Sequence, residues 1–172
     1  MRPPSLVIRA LLTAIVLASV GCAGIAGAQS STVVSPVVSP VVFVCEHGNV
    51  KSLIASSLFD RAATERGLPF RSVSRGVSPD LTVPQKISDT LRGEGFDVTN
   101  YRPEQLSKQD VSKASLVVAI GVDLSRVSTQ PNKPVVSWGD IPPVSVDYPA
   151  SKAALLKHIN ELLDELAAVP RR

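Results

Sequence analysis

The sequence predicts an α/β fold in which helices cover both faces of a parallel sheet. Short apolar runs rich in β-branched residues alternate along the chain with segments whose apolar residues recur at helical spacing. The runs are apolar throughout, which is typical of strands that are buried on both faces. At 172 residues, 44% of them hydrophobic, the chain has room for one domain with its own core.

The first predicted unit is a strand, a loop and a helix. Residues 41–44 are an apolar run that predicts a buried strand, and residues 45–50 are a polar loop that contains glycine. Over residues 51–66 the apolar positions keep helical spacing, and Gly67 follows as a stop signal. The strand therefore ends at Cys45, where a loop leads into a helix.

The remaining elements continue the alternation. A second strand is predicted at residues 70–74, and a helix at residues 84–92 is closed by two glycines. Buried strands are predicted at Leu116–Ile120 and Val135–Trp138. The last predicted element is an amphipathic helix over residues 150–168, with an apolar stripe of Leu155, Leu156, Ile159, Leu162, Leu163 and Leu166.

Composition and charge exclude several classes of protein. The apolar content is too high for a disordered chain, and 10 Gly and 2 Cys exclude collagen-like and disulfide-rich proteins. Of the net charge of +3, two positive charges lie near the N-terminus, at Arg2 and Arg9. No stripe of Lys and Arg with interleaved aromatic residues is present in the sequence, so a nucleic-acid partner is not expected.

The first 28 residues are predicted to be a cleavable secretory signal. A positive start leads into an apolar run, which ends at the small-x-small cleavage pattern Ala26-Gly27-Ala28. The run falls short of the roughly 20 apolar residues that a spanning helix needs, and an uncleaved anchor is the alternative. We therefore expect an exported protein, either periplasmic or secreted.

Cys22 offers a second route to a membrane. Residues 19–22 are a weak version of a lipoprotein box, and a single acyl chain on Cys22 would hold the protein weakly. Residues 29–40 repeat Val-Val-Ser-Pro and predict an extended linker, which leaves residues 41–169 as the folded domain. After cleavage Cys45 would be the single cysteine, so it is a free thiol or pairs with another molecule.

The loop after the first strand is the candidate site, because ligands of parallel sheets bind beyond the carboxyl ends of the strands. Its N–H groups and the helix dipole can hold a tetrahedral oxyanion and favour a thiolate at Cys45. Lys51 adds positive charge, and the Ser52 hydroxyl can donate to the sulfur. The structural alternative is that Cys45 is a small buried residue at a strand end. One Cys and one His do not make a metal site, so neither a metal nor another cofactor is predicted.

These residues resemble a known family. Low-molecular-weight protein tyrosine phosphatases, and the related thiol-dependent arsenate reductases, begin with a buried strand, a Cys-x5-Arg-Ser loop and a helix. Cys45 and Ser52 match this loop, with Lys51 in the place of the arginine. Residues 74–76 are similar to the family's Ser-Ala-Gly, and residues 138–142 to the region that carries its general acid.

The resemblance implies a doubly wound sheet in a single low-molecular-weight phosphatase-like domain, with a phosphocysteine mechanism. Cys45 would attack phosphorus, while the loop amides and Lys51 would hold the oxyanion. Asp140, or alternatively Asp147, would protonate the leaving oxygen. Substrate would contact the rest of the loop: Glu46, His47, Gly48, Asn49, Val50 and Ser52.

The expected partners are a phosphate or arsenate oxyanion and a phosphorylated substrate. Hydrolysis of a phosphomonoester or phosphotyrosine is the primary hypothesis, and arsenate reductase chemistry is its variant. The variant needs an external thiol, because the additional cysteine pair of thioredoxin-coupled reductases is missing from the sequence. The alternative is a non-catalytic domain that binds an oxyanion or a phosphoprotein, since the Lys51 ammonium lacks the two-pronged geometry of a guanidinium.

Overall fold

Four parallel strands form the sheet in the computed structural model, which describes residues 39–126 and 135–169. The strands are β1 (Val41–Cys45), β2 (Ser72–Gly76), β3 (Leu116–Ile120) and β4 (Val135–Trp138). Their spatial order is β2-β1-β3-β4, so the chain first builds to one side of β1 and then to the other. This is the doubly wound α/β arrangement that the sequence analysis predicted. The predicted signal, most of the linker, and Cys22 lie outside the described residues.

Four α-helices accompany the strands in the described part of the chain. They are α1 (Lys51–Glu65), α2 (Gln85–Gly93), α3 (Lys108–Lys113) and α4 (Tyr148–Ala168), and a short 3-10 helix covers Leu124–Arg126. Helices α1, α2 and α4 lie within two residues of their predicted bounds. Among residues 39–126 and 135–169, no helix combines the length and the apolarity that a membrane span requires.

The core has two layers because successive side chains of a strand point to opposite faces of the sheet. Phe43 of β1 packs in one layer with residues of α1 and α4, including Phe59 and Ile159. Val44, its neighbour, packs in the other layer with Val111 of α3. Helices on both faces explain why β1 and β3 are buried along their whole length.

Two predicted strands differ from the structure. Strand β2 was expected at residues 70–74 but lies two residues later, because its pairing with β1 runs from Val41↔Ser72 to Cys45↔Gly76. Strand β4 was expected to be buried, yet Val135 and Val136 are 42% and 37% exposed. The reason is its position at the edge of the sheet, where it pairs with β3 alone.

Helix α3 was missed, since it has six residues and a single buried apolar side chain, Val111. The start of this helix is fixed by a capping box. The Ser107 hydroxyl accepts from the Asp110 N–H, and the Asp110 carboxylate accepts from the Ser107 N–H. Arg75 at the end of β2 ties the helix to the sheet through an ion pair of 3.0 Å with Asp110.

Candidate active site

The candidate site lies where the order of the sheet reverses. Because β2 follows β1 on one side and β3 lies on the other, the connections that leave β1 and β3 diverge and open a crevice beyond their carboxyl ends. A cavity of about 330 Å³ occupies this place. Its lining comprises Cys45, Glu46, His47, Asn49, Val50, Lys51, Ile120, Gly121, Pro143, Val144 and Ser145.

The backbone carbonyl groups of Cys45 and of the first two loop residues point to the segment that follows β2. The carbonyls of Cys45, Glu46 and His47 accept hydrogen bonds of 3.0, 2.8 and 3.2 Å from Val77, Ser78 and Asp80. Within the described residues, no hydrogen bond uses the N–H groups of residues 46–51. These free donors and the N-terminus of α1 are the elements of an oxyanion-binding nest.

Two glycines permit this loop to lie directly on the end of β2. A Cβ on Gly48 would come within 2.8 Å of the Gly76 nitrogen, and a Cβ on Gly76 within 2.8 Å of the Gly48 nitrogen. Gly48 also has a φ of +67°, in the left-handed region that side chains disfavour. The loop therefore depends on a backbone-to-backbone contact that any larger residue would disrupt.

Cys45 is buried beneath the loop with 6% of its surface exposed, and it is the free cysteine of the described residues. Its sulfur lies 3.0 Å from the Ser52 hydroxyl, which in turn accepts a 2.8 Å hydrogen bond from the Ser74 hydroxyl. The Tyr101 hydroxyl lies 3.0 Å from the Ser74 hydroxyl and 2.5 Å from the Gly48 carbonyl. Burial raises the pKa of Tyr101, so this hydroxyl keeps its proton at neutral pH.

Lys51 begins α1 and reaches across the crevice. Its ammonium donates a 2.9 Å hydrogen bond to the carbonyl of Ile141, in the segment that follows β4. A Cβ built on Gly121, at the end of β3, would lie 3.5 Å from the same nitrogen. Lys51 thus places a positive charge on the wall of the cavity and joins its two sides.

Of the polar side chains of the loop, one is buried and two are exposed. Asn49 is 1% exposed and donates hydrogen bonds of 2.8 Å to the Asp80 carboxylate and 2.9 Å to the Thr82 carbonyl. His47 is exposed at the cavity rim, where its Nδ1 lies 3.3 Å from the Ser78 carbonyl and 3.5 Å from Asp80. Glu46 is also exposed, on the same rim.

The two predicted acids lie apart from this cavity lining. The Asp140 carboxylate is 2.8 and 3.0 Å from Nε2 of His158, and this hydrogen bond lowers the pKa of Asp140. Asp147 caps α4, with its carboxylate accepting a 2.9 Å hydrogen bond from the Ala150 N–H. The segment after β4 instead presents Pro143, Val144 and Ser145 to the cavity.

The family model of the low molecular weight phosphotyrosine protein phosphatases matches residues 40–132, which include β1, the loop and α1. The chain belongs to this family. Among curated proteins, none matches the chain in sequence.

Solved structures from the same family and from arsenate reductases share the fold. The thioredoxin-dependent arsenate reductase of Corynebacterium glutamicum is 20% identical with a TM-score of 0.63, over 77% of this chain and 64% of that chain. A mutant of YwlE from Bacillus subtilis is 20% identical with a TM-score of 0.67, over 76% and 99% of the two chains. The low molecular weight protein tyrosine phosphatase of T. tengcongensis is 21% identical with a TM-score of 0.64, over 74% and 99%.

In this chain of the low molecular weight phosphatase family, the structure brings most of the predicted site residues together. The loop residues Glu46, His47, Asn49 and Val50 line one cavity together with Cys45 and Lys51. Ser52 contacts the Cys45 sulfur, and the Gly48 carbonyl accepts from Ser74. Sequence reasoning missed Ser74 as a partner of Ser52, although it noted residues 74–76, and it missed Tyr101 and Asp80 entirely. Those two lie 53 and 31 residues from their loop partners, so local pattern carries no signal for them. The described residues contain no group of three or more His, Cys, Asp and Glu side chains that could hold a metal ion.

Proposed function

We propose that the protein hydrolyses phosphomonoesters, phosphotyrosine among them, through a cysteinyl-phosphate intermediate. The observation that carries the proposal is the position of Cys45: a buried thiol, hydrogen-bonded to Ser52, below a loop whose N–H groups have no acceptor among the described residues. A phosphoryl group seated on those N–H groups would present its phosphorus to the sulfur. Membership of the phosphatase family supports the same chemistry.

The first step transfers the phosphoryl group to the protein. The Cys45 thiolate forms a sulfur–phosphorus bond as the bond from phosphorus to the leaving oxygen breaks. The loop N–H groups and Lys51 stabilise the charge on the equatorial oxygens. Water then attacks phosphorus, the sulfur–phosphorus bond breaks, and phosphate leaves. The assignment of Asp140 or Asp147 as the proton donor stays a prediction from the sequence.

The rate of turnover that we expect depends on Lys51, which stands where the family has arginine. A guanidinium binds two phosphoryl oxygens through a fixed fork, whereas an ammonium is a point charge, and here it already donates to Ile141. We therefore expect slow turnover, lower by about 10²–10³ than with a full set of oxyanion donors.

Arsenate reduction is the second candidate, favoured by the likeness to a thioredoxin-dependent arsenate reductase. Arsenate has the same tetrahedral shape, and the Cys45 thiolate would form a sulfur–arsenic bond as an arsenic–oxygen bond breaks and that oxygen leaves as water. An external thiol would then attack the Cys45 sulfur, forming a mixed disulfide as the sulfur–arsenic bond breaks and arsenic gains two electrons and leaves as arsenite. A second external thiol would attack the mixed disulfide, releasing a disulfide of the two external thiols and regenerating the Cys45 thiol.

Turnover of p-nitrophenyl phosphate by the purified, reduced full chain tests the proposal. We expect Cys45→Ser to abolish turnover and Lys51→Arg to raise it about tenfold or more, because the guanidinium adds a second donor. Lys108→Arg, on exposed α3, is the matched control and should change nothing. Turnover that survives in Cys45→Ser contradicts the mechanism. Phosphate binding without any turnover favours the non-catalytic alternative, and arsenite release with a small thiol identifies the reductase.

A further inference from the structure

The proton donor to the leaving group is the open part of the proposed mechanism, and this inference rests on that proposed function. Asp140 hydrogen-bonds to His158 and Asp147 caps α4, so both carboxylates are engaged away from the cavity lining. The lining residues of the cavity that have titratable side chains are Cys45, Glu46, His47 and Lys51. Cys45 is the nucleophile and the Lys51 ammonium donates to Ile141, which leaves the two rim residues.

His47 differs from Glu46 in being held by a chain of contacts that leads into the protein. The buried Asn49 donates to one oxygen of the Asp80 carboxylate at 2.8 Å and to the Thr82 carbonyl at 2.9 Å. The other oxygen of Asp80 lies 3.5 Å from Nδ1 of His47. The His47 carbonyl also accepts from the Asp80 N–H, so backbone and side chain are fixed to the same residue.

This arrangement sets the tautomer of His47. Both neighbours of Nδ1, the Ser78 carbonyl and the Asp80 carboxylate, are acceptors, so Nδ1 carries a proton. Nε2 is then the nitrogen that gains and loses a proton, and among the described residues it has no hydrogen-bond partner. A carboxylate behind Nδ1 that leaves Nε2 free is the arrangement in which histidine serves as acid and base in nucleophilic catalysis.

We infer that His47 is the general acid and base of the reaction and that Asp80, held by Asn49, is its positioning residue. In the first step the Nε2 proton passes to the leaving oxygen as the phosphorus–oxygen bond breaks and the sulfur–phosphorus bond forms. In the second step neutral Nε2 takes a proton from the attacking water, which restores the imidazolium. The charged groups near it are Asp80 from the β2–α2 connection and three lining residues of the same cavity: Glu46 of its own loop, the Cys45 thiolate at the end of β1 and Lys51 at the start of α1.

The test uses substrates that differ in how much they need a proton donor. p-Nitrophenolate leaves readily without a proton, whereas phenolate does not, so loss of a general acid slows phenyl phosphate far more. We expect His47→Ala to lower kcat/KM for phenyl phosphate about 100-fold or more and to affect p-nitrophenyl phosphate much less. Added imidazole should restore part of the lost rate.

Asp80→Asn tests the positioning role through the same pair of substrates. Loss of the carboxylate behind Nδ1 removes a contact that orients the imidazole, so kcat/KM for phenyl phosphate should fall about tenfold or more while that for p-nitrophenyl phosphate falls much less. Asp89→Asn, an exposed aspartate of α2, is the matched control and should leave both rates unchanged.

The outcomes separate this inference from the proposed function. If the wild type has no turnover that depends on Cys45, both are overturned. If turnover depends on Cys45 but His47→Ala affects both substrates equally, or if Asp140→Asn alone reproduces the selective loss on phenyl phosphate, the inference about His47 is wrong and the phosphatase proposal stands.

Discussion

Ser52 is the residue that connects the nucleophile to the rest of the protein. Its hydroxyl accepts from Ser74, so its own proton is free to be donated to the Cys45 sulfur 3.0 Å away. Ser52 is fully buried, and water therefore cannot take its place without rearrangement. A hydrogen bond to a charged group in such surroundings contributes about 1.5–3 kcal/mol.

Ser52→Ala should therefore lower kcat for p-nitrophenyl phosphate by roughly 10- to 100-fold, because the thiolate loses its hydroxyl donor. Steady-state kinetics on the reduced protein measures the effect. Ser56→Ala, one turn later on α1 and bonded to Ser72 instead, is the control and should retain turnover. Equal losses in both variants would mean that the effect comes from α1 as a whole.

For single residues, the sequence indicated which side chains belong to the site but not which side chains they contact. Cys45, Lys51 and Ser52 could be selected because they follow a buried strand and precede a helix. The hydrogen bond between Asp140 and His158 could not be predicted from the sequence. It depends on α4 passing beside the end of β4 and on Trp138 stacking against the same imidazole.

The loop between β1 and α1 is the element on which the site depends, and its shape is set by backbone contacts. Gly48 combines a left-handed φ with the close approach to Gly76, whereas Gly67, after α1, has a similar φ of +64° and open space around it. The two positions therefore separate the cost of backbone conformation from the cost of a steric clash.

Gly67→Ala should cost about 1–2 kcal/mol of unfolding free energy, because it forces a side chain into the left-handed region. Gly48→Ala should cost about 3 kcal/mol or more, since the clash with β2 adds to the same conformational cost. Urea unfolding followed by the fluorescence of the buried Trp138 measures both. If the two costs were equal, the loop would have relaxed away from β2, and turnover should then be lost as well.

Strands were predicted better than short helices at this scale, for a physical reason. β1 and β3 are buried on both faces and so must be apolar throughout, a pattern that is visible in the sequence. β2 and β4 lie at the edges, where the pairing partner and not the apolar run sets position and exposure. Helix α3 depends on a cap and an ion pair to Arg75, which hydrophobic spacing does not reveal.

For the whole molecule, the order of the strands decides where chemistry can occur. The reversal between β1 and β3 brings the Cys45 loop beside Gly121 and lets Lys51 reach the segment after β4. The fold class followed from alternating strands and helices, and the doubly wound order from the family resemblance. The hydrogen bond from Lys51 to the Ile141 carbonyl could be identified only from the structure, because the two residues are 90 positions apart in the sequence.

Export of the protein, which we predict from its first 28 residues, would determine how Cys45 is kept reduced. A chain cleaved after Ala28 retains one cysteine, so Cys45 has no internal partner and its reduction depends on external thiols. Expression of the full chain in a bacterial host should give a periplasmic or secreted species that begins at Gln29, shown by N-terminal sequencing and intact mass.

Replacement of both small residues of the cleavage pattern, Ala26→Leu with Ala28→Leu, should leave the precursor uncleaved, because signal peptidase requires small side chains there. Cys22→Ser is the control and should be processed normally. An intact cytoplasmic chain would contradict export. A species that begins at Cys22 and sediments with membranes would instead identify a lipoprotein, whose Cys45 site would work at a membrane surface and whose Cys22→Ser variant would be released.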